Sequence, residues 1–223
     1  MPKAKQPVAA AGVKTARATV RRRLSPELRR AQIMDAASRL VVKQGFLPVP
    51  IEALAQAAEA SKALVYAYFP TQYELFNALL EREMRALALG GLETAARVND
   101  LDQSILLCAM LYFEHVAQYG PLLHILITDL YMAGQVEPKV IQQIKEMTLR
   151  LWRLAQKVLP LTAKEFEASL EMMTALPEEA GTLAYEKRME PQAARELCHT
   201  LVLSSLRALR SPADALLRAG NGP

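Results

Sequence analysis

From residue 25 onward, apolar positions recur at spacings of three and four, the pattern of helices with one buried face. Ile33, Ala36, Ala37, Leu40 and Val41 form the first stripe. Ser25-Pro26-Glu27 precedes it with an N-cap, a proline at the first helical position and an acid in the first turn, and Gly45 follows it as a stop. After Phe46 and Val49, expected to pack beneath this helix, Pro50 opens a short second one carrying Ile51, Leu54, Ala55 and Ala58. A break of about two residues leads to Ser61, the N-cap of a third helix that Phe69-Pro70 stops. Thr71 to Glu74 has capping-box spacing and launches a fourth helix through Leu75, Phe76, Leu79 and Leu80 to about Val98, interrupted at Gly90-Gly91.

The remaining pattern is helical as well. Asp100 and Gln103 open a fifth helix that runs to about Gln118, and Gly120-Pro121 separates it from a sixth ending near Gly134. Pro138 starts a seventh, with Val140, Ile144, Met147, Leu151, Leu154 and Val158 on one face. Thr162 and Glu165 form a second capping box for an eighth helix, which Pro177 should bend, and Pro191 opens a ninth with Ala194, Leu197, Leu201 and Leu209. The prediction is an all-α fold of about nine helices without an internal repeat. It divides into a basic arm (1–24), a three-helix unit with helix-turn-helix spacing (25–75), a larger helical domain (76–210) and a tail (211–223). The arm and tail lack apolar periodicity and are expected to be flexible without a partner.

Composition adds exclusions. The chain of 223 residues is 52% hydrophobic with only nine glycines, and Ala and Leu dominate, which favours helices. Its strongly apolar runs, Ser104–Phe113 and Leu122–Leu130, fall short of the ~20 residues that cross a bilayer, so both are expected inside the protein and no membrane association is expected. Cys108 and Cys198 show no pairing pattern, in keeping with a reduced cytoplasmic setting. Three histidines (115, 124 and 199) make no H-x-x-x-H motif, and nucleophile elbows and phosphate-binding glycine loops are absent. Cys108 and His115, seven apart, could share a helix face, yet two ligands do not hold a metal. An enzyme, a metal site and a cofactor are therefore not expected. The net charge of +4 hides an asymmetry: the first thirty residues carry +8 and the remaining 193 carry −4. Beside a DNA-binding unit, such an arm suits phosphate or minor-groove contact.

Residues 29–75 resemble the DNA-binding domain of the TetR family of transcriptional regulators. The resemblance is carried by RRAQIMDAASRLVVKQGF, by IEALAQAAEAS and by SKALVYAYFPTQYEL, within which Ser61-Lys62, Val65-Tyr66, Tyr68, Phe69-Pro70, Thr71 and Leu75 follow the family's signature. The order of a small helical reader followed by a larger helical domain is similar too. The resemblance implies a recognition helix in the major groove of double-stranded DNA, a ligand pocket in the larger domain, and a homodimer built from the last two helices.

At the reading head, Ser61 and Lys62 stand at the start of the third helix, where free amides attract phosphate. Tyr66 lies one turn on and can reach a phosphate from the same face, while the alternative is core packing with its hydroxyl at the surface; for Tyr68 both readings stand. Ala63 and Leu64 suit close approach and thymine methyls. Val65 and Phe69 are assigned to the core. Four positions depart from the family pattern: Glu59 replaces the turn glycine, Pro50 a capping threonine, Ala63-Leu64 a Gly-Thr step, and Gln72 a lysine that meets phosphate. Residues 25–75 carry five basic and five acidic residues. Arg21, Arg22 and Arg23 are therefore expected to supply the missing electrostatics, with Gln72 still counted at the DNA.

In the larger domain, Met110, Tyr112, His115, His124, Thr128, Met147 and Trp152 are the candidate lining of a mainly apolar small-molecule site, with His124 and Thr128 one turn apart as a polar anchor. For each residue singly, core packing is the competing reading. Leu170, Met173, Leu183, Leu197, Leu201 and Val202 are the candidate dimer face. Gly90-Gly91 reads equally as a hinge or a helix end. The expected function is a ligand-responsive repressor that binds a palindromic operator as a homodimer. The alternative is a scaffold of the same fold with weak or non-specific DNA binding.

Overall fold

The computed structural model describes residues 24–210, so residues 1–23 of the arm, with Arg21, Arg22 and Arg23, and the tail at 211–223 lie outside the described residues. Within them are ten α-helices, one more than the pattern predicts: α1 (Pro26–Gln44), α2 (Ile51–Ala57), α3 (Lys62–Tyr68), α4 (Gln72–Leu89), α5 (Leu92–Ala95), α6 (Leu101–Tyr119), α7 (Leu122–Thr128), α8 (Pro138–Ala155), α9 (Ala163–Tyr185) and α10 (Pro191–Arg210), with a 3-10 turn at Leu130–Met132.

The local signals act as their chemistry requires. The Ser25 side chain accepts from the Leu28 amide, Ser61 from Leu64, Thr71 from Glu74 and Asp100 from Gln103. Thr162 and Glu165 complete both halves of their capping box, whereas the Thr71 hydroxyl donates to the Glu74 carboxylate at 3.3 Å. Pro50 precedes α2 with no side-chain cap. Glu59 takes the left-handed conformation (φ 48°) that glycine would occupy, so the turn between α2 and α3 is kept at a backbone cost of roughly 1–2 kcal/mol. Gly91, at φ 104°, separates α4 from α5 and begins the latter. The pair Gly90-Gly91 is thus a helix end, which accounts for the extra helix.

The sixth predicted segment is corrected. It stops at Thr128, six residues before Gly134, because Asp129 turns extended, caps the 3-10 turn and accepts from the Tyr131 amide at 2.8 Å. Its other oxygen accepts from the Leu47 amide at 3.0 Å, tying this corner to the loop after α1. The expectation that both apolar runs are wholly interior is corrected with it: Leu107, Ile127 and Leu130 are exposed.

Packing does not stop at residue 75. One core joins α1 to α4 with Leu122, Leu123, Ile125 and Leu126 of α7, Met132 and Val140. The other joins α6, α8, α9 and α10 through Phe113, Leu151, Phe166, Met173, Ala194 and Val202 among others. Asn77, buried on α4, reinforces the first: its amide donates to the Gln135 carbonyl at 2.8 Å and its oxygen accepts from the Glu137 amide at 2.9 Å. Tyr131 stacks on Tyr73 at 4.7 Å and meets Phe76 edge-on. The long helix α4 is thereby fixed at its start to the three-helix unit and along its length to the larger domain.

Candidate functional site

The outer face of α3 is the candidate nucleic-acid interface. Val65 and Phe69 are buried, and the Arg30 guanidinium of α1 sits 4.9 Å from the centre of the Phe69 ring. This anchors the inner side and leaves Ser61, Lys62, Ala63 and Tyr66 exposed, with Leu64 half-buried. Tyr68 is half-buried and packs against the first core, so it leans to the structural side of its two readings. Lys62 pairs with Glu52 across the α2–α3 turn, and this bond holds the Glu52 carboxyl below its usual range. Gln72 is a correction. Its side-chain oxygen accepts from the Val49 amide at 3.1 Å, and its amide donates to the Val49 carbonyl at 2.8 Å. It seals the segment before α2 to the start of α4, a backbone-pairing task its amide performs and a lysine could not.

The second feature is a cavity of about 460 Å³ in the seam between the two cores. Met84 and Leu87 of α4 and Leu123 of α7 form one wall, and Ile105, Leu151, Met173 and Val202 belong to the other core. Among the expected residues, Tyr112, His124, Thr128 and Met147 line it. Met110, His115 and Trp152 do not. Met110 packs into the second core, and Trp152 lies against Phe166 at 5.3 Å in the same core. His115 is buried with its Nε2 3.1 Å from Glu83, away from the cavity.

Several dimer-face expectations are corrected by the same geometry. Leu170, Met173 and Val202 turn inward to line the cavity, Val202 without any exposure. The outward faces of α9 and α10 present Met172, Leu197 and Leu201, respectively 68%, 46% and 42% exposed, and Leu183 is half-buried. A stripe at helical spacing says which residues share a face. It does not say which of two opposite neighbours that face meets.

Two groups of functional weight were missed in the sequence. Glu178 lies in the cavity lining with its Oε2 2.8 Å from His124 Nδ1, and this bond raises the imidazole above its usual range, against partial burial. Its spacing of four from Thr174 and eight from Leu170 sets it beside the α9 stripe, which was the available signal. A line of polar contacts also crosses the molecule. His115 of α6 meets Glu83 of α4, Arg82 bonds Glu83 at 3.1 Å, and Arg82 also reaches Asp35 of α1 at 2.7 Å. Burial pushes Glu83 upward, but the His115 contact and the Arg82 charge outweigh it and hold the carboxyl below its usual range. The cysteines are inert by comparison: burial pushes both thiols up to about 11. Among the described residues no cluster of three metal-ligating side chains occurs, and no helix is long and apolar enough to cross a membrane.

Residues 33–79 match the model of the bacterial regulatory proteins of the tetR family. Over 126 residues the chain is 26% identical to the HTH-type transcriptional activator FasR of Mycolicibacterium smegmatis, covering 56% of this chain and 56% of FasR. Over 64 residues it is 38% identical to the HTH-type transcriptional repressor SCO4008 of Streptomyces coelicolor, covering 29% of this chain and 33% of that one. The chain thus spans little more than half the length of FasR and a third of SCO4008. The transcriptional regulator FadR of Bacillus subtilis, solved in complex with stearoyl-CoA, shares the fold with a TM-score of 0.57 at 16% identity, over 81% of this chain and 97% of that one.

Proposed function

Because this chain belongs to the tetR family of bacterial regulatory proteins, we propose that it is a ligand-responsive repressor that binds a palindromic operator as a homodimer. One observation carries the reading: α4 supplies Leu75, Phe76 and Leu79 to the core under the reading head, and one to two turns later supplies Met84 and Leu87 to the cavity wall. A ligand that repositions α4 therefore moves the recognition helix with it. Such a ligand acts only by binding the two arrangements with different affinity. The lining supports a mainly hydrophobic molecule, and the stearoyl chain held by FadR supports the same for the body of the ligand.

The exposed Met172, Leu197 and Leu201 support a two-fold interface on the outer face of α9 and α10. Dimerisation sets two α3 helices about one DNA turn apart, roughly 34–36 Å, as a palindrome requires. Ser61, Lys62, Ala63, Leu64 and Tyr66 are the proposed contact set on the described surface. The direct test is binding to the DNA upstream of its own gene against random DNA at equal salt. Expected is a preference of about 10³-fold or more, lost on adding the effector. Equal affinity for both DNAs would replace this reading by that of a scaffold of the same fold.

A further inference from the structure

The polar groups of the cavity are unevenly supplied. The Thr128 hydroxyl donates to the His124 carbonyl at 2.9 Å and the Thr174 hydroxyl to the Glu171 carbonyl at 2.7 Å. Both donors are engaged on their own helices, which leaves lone pairs for a visitor. Glu178 gives one oxygen to His124 and keeps a second, and Glu171 adds another carboxylate at the exposed rim. The lining holds no lysine or arginine. Its one base, His124, is already matched by Glu178. Tyr112 lies within reach of the Glu178 charge and, being largely buried, is pushed upward, so it stays a neutral hydroxyl. The site is therefore richer in acceptors than in donors, its donors being the Tyr112 hydroxyl and the second ring nitrogen of His124. Once the His124–Glu178 pair is counted as neutral, its net negative charge comes from Glu171 at the rim.

We propose that the cavity selects a ligand with an apolar body and a cationic head of the protonated-amine class, anchored on Glu178, in preference to an anion-headed lipid. The proposal rests on the ligand-binding reading above and assigns its headgroup. An ammonium offers three donors to a lining richer in acceptors and meets the second Glu178 oxygen at 18% side-chain exposure, where attraction is less screened than in water. A carboxylate head would meet two carboxylates, Glu178 and Glu171, with no lysine or arginine in the lining and its one base, His124, already engaged by Glu178. A buried charge without a partner is strongly unfavourable. The fold shared with FadR thus carries over the apolar tail without the anionic head.

The test uses the full chain and three probes that share a decyl chain: decylamine, decanol and decanoate. Binding is followed at neutral pH by calorimetry and by the fluorescence of Trp152, the single tryptophan, which packs beside the cavity wall in the second core. Decylamine is expected to bind about tenfold or more tighter than decanoate, with decanol between them. Glu178→Gln should remove most of the amine's advantage over decanol and decanoate. The order of the three probes on the unaltered protein decides the matter even if that variant folds poorly. Decanoate binding as tightly as decylamine overturns the headgroup assignment and leaves the ligand reading intact. Failure of all three to bind overturns both.

Discussion

At the reading head the decisive residues are few, and one of them is held back. Lys62 is paired with Glu52, so at the proposed contact a DNA phosphate would compete with an internal carboxylate for the lysine at the start of α3. Both partners are largely exposed, so their pairing contributes little to folding while it sets the charge presented to DNA. Glu52→Gln is expected to tighten DNA binding about two- to fivefold and to steepen the salt slope by up to about one unit. Fluorescence anisotropy at several salt concentrations reads both. Unchanged affinity and slope would show that Lys62 does not touch phosphate. Gln72 carries the complementary lesson: a residue at a contact position in sequence became a clamp on Val49, because the loop before α2 needed its backbone groups satisfied.

At the scale of elements, the two long helices α6 and α9 approach so closely that one residue has no room for a side chain. A Cβ on Gly181 would lie 2.7 Å from the Val116 Cβ and 3.0 Å from the Phe113 carbonyl oxygen. Gly181→Ala is expected to destabilise by about 1–3 kcal/mol in urea unfolding, through overpacking. Val116→Ala in the same chain should recover little of that loss, since alanine keeps the Cβ at 2.7 Å and leaves the Phe113 carbonyl in place, removing only the Cγ1 contact at 2.9 Å. The line of polar contacts makes a different kind of link, joining α1, α4 and α6 through Asp35, Arg82, Glu83 and His115. Glu83 is depressed in the folded protein, so its contribution is present above the unfolded value near 4.5 and is lost as pH falls through the lower folded value. Glu83→Gln should therefore lower stability by about 1–3 kcal/mol at neutral pH. The gap to the unaltered protein should close in acid, as denaturation at a series of pH values would show.

At the scale of the whole molecule, the proposed operator binding requires the proposed dimer. Replacing both Leu197 and Leu201 by aspartate puts charge on an exposed apolar face of α10 without touching either core. The variant should sediment as a monomer, keep its thermal stability to within a few degrees, and lose affinity for a palindrome by about a hundredfold or more. A dimer persisting in sedimentation would move the interface elsewhere. The helix-turn-helix unit at 25–75 is electrically neutral, while residues 1–30 carry +8. Deleting residues 1–24 is accordingly expected to weaken operator binding and to flatten its salt dependence, in the same titrations.

What the sequence by itself determined was everything that local chemistry decides. The caps at Ser25, Ser61, Thr71, Asp100 and Thr162, the stops at Gly45 and Phe69-Pro70, and the inward face of α3 are all legible, because each depends on residues within a turn or two. The left-handed turn at Glu59 does not belong with them: a non-glycine residue there pointed to an altered turn, and the fold keeps the turn despite it. Only the tertiary structure decided matters of partnership. Leu170, Met173 and Val202 face a cavity, and Leu197 and Leu201 face solvent, although all five keep helical periodicity. Periodicity fixes a direction around one helix axis and carries no information on what stands opposite. For the same reason His124 found Glu178, 54 positions away, and His115 found Glu83 on another helix. Asp129, finally, ended α7 early because its carboxylate was needed by a distant amide as well as a near one.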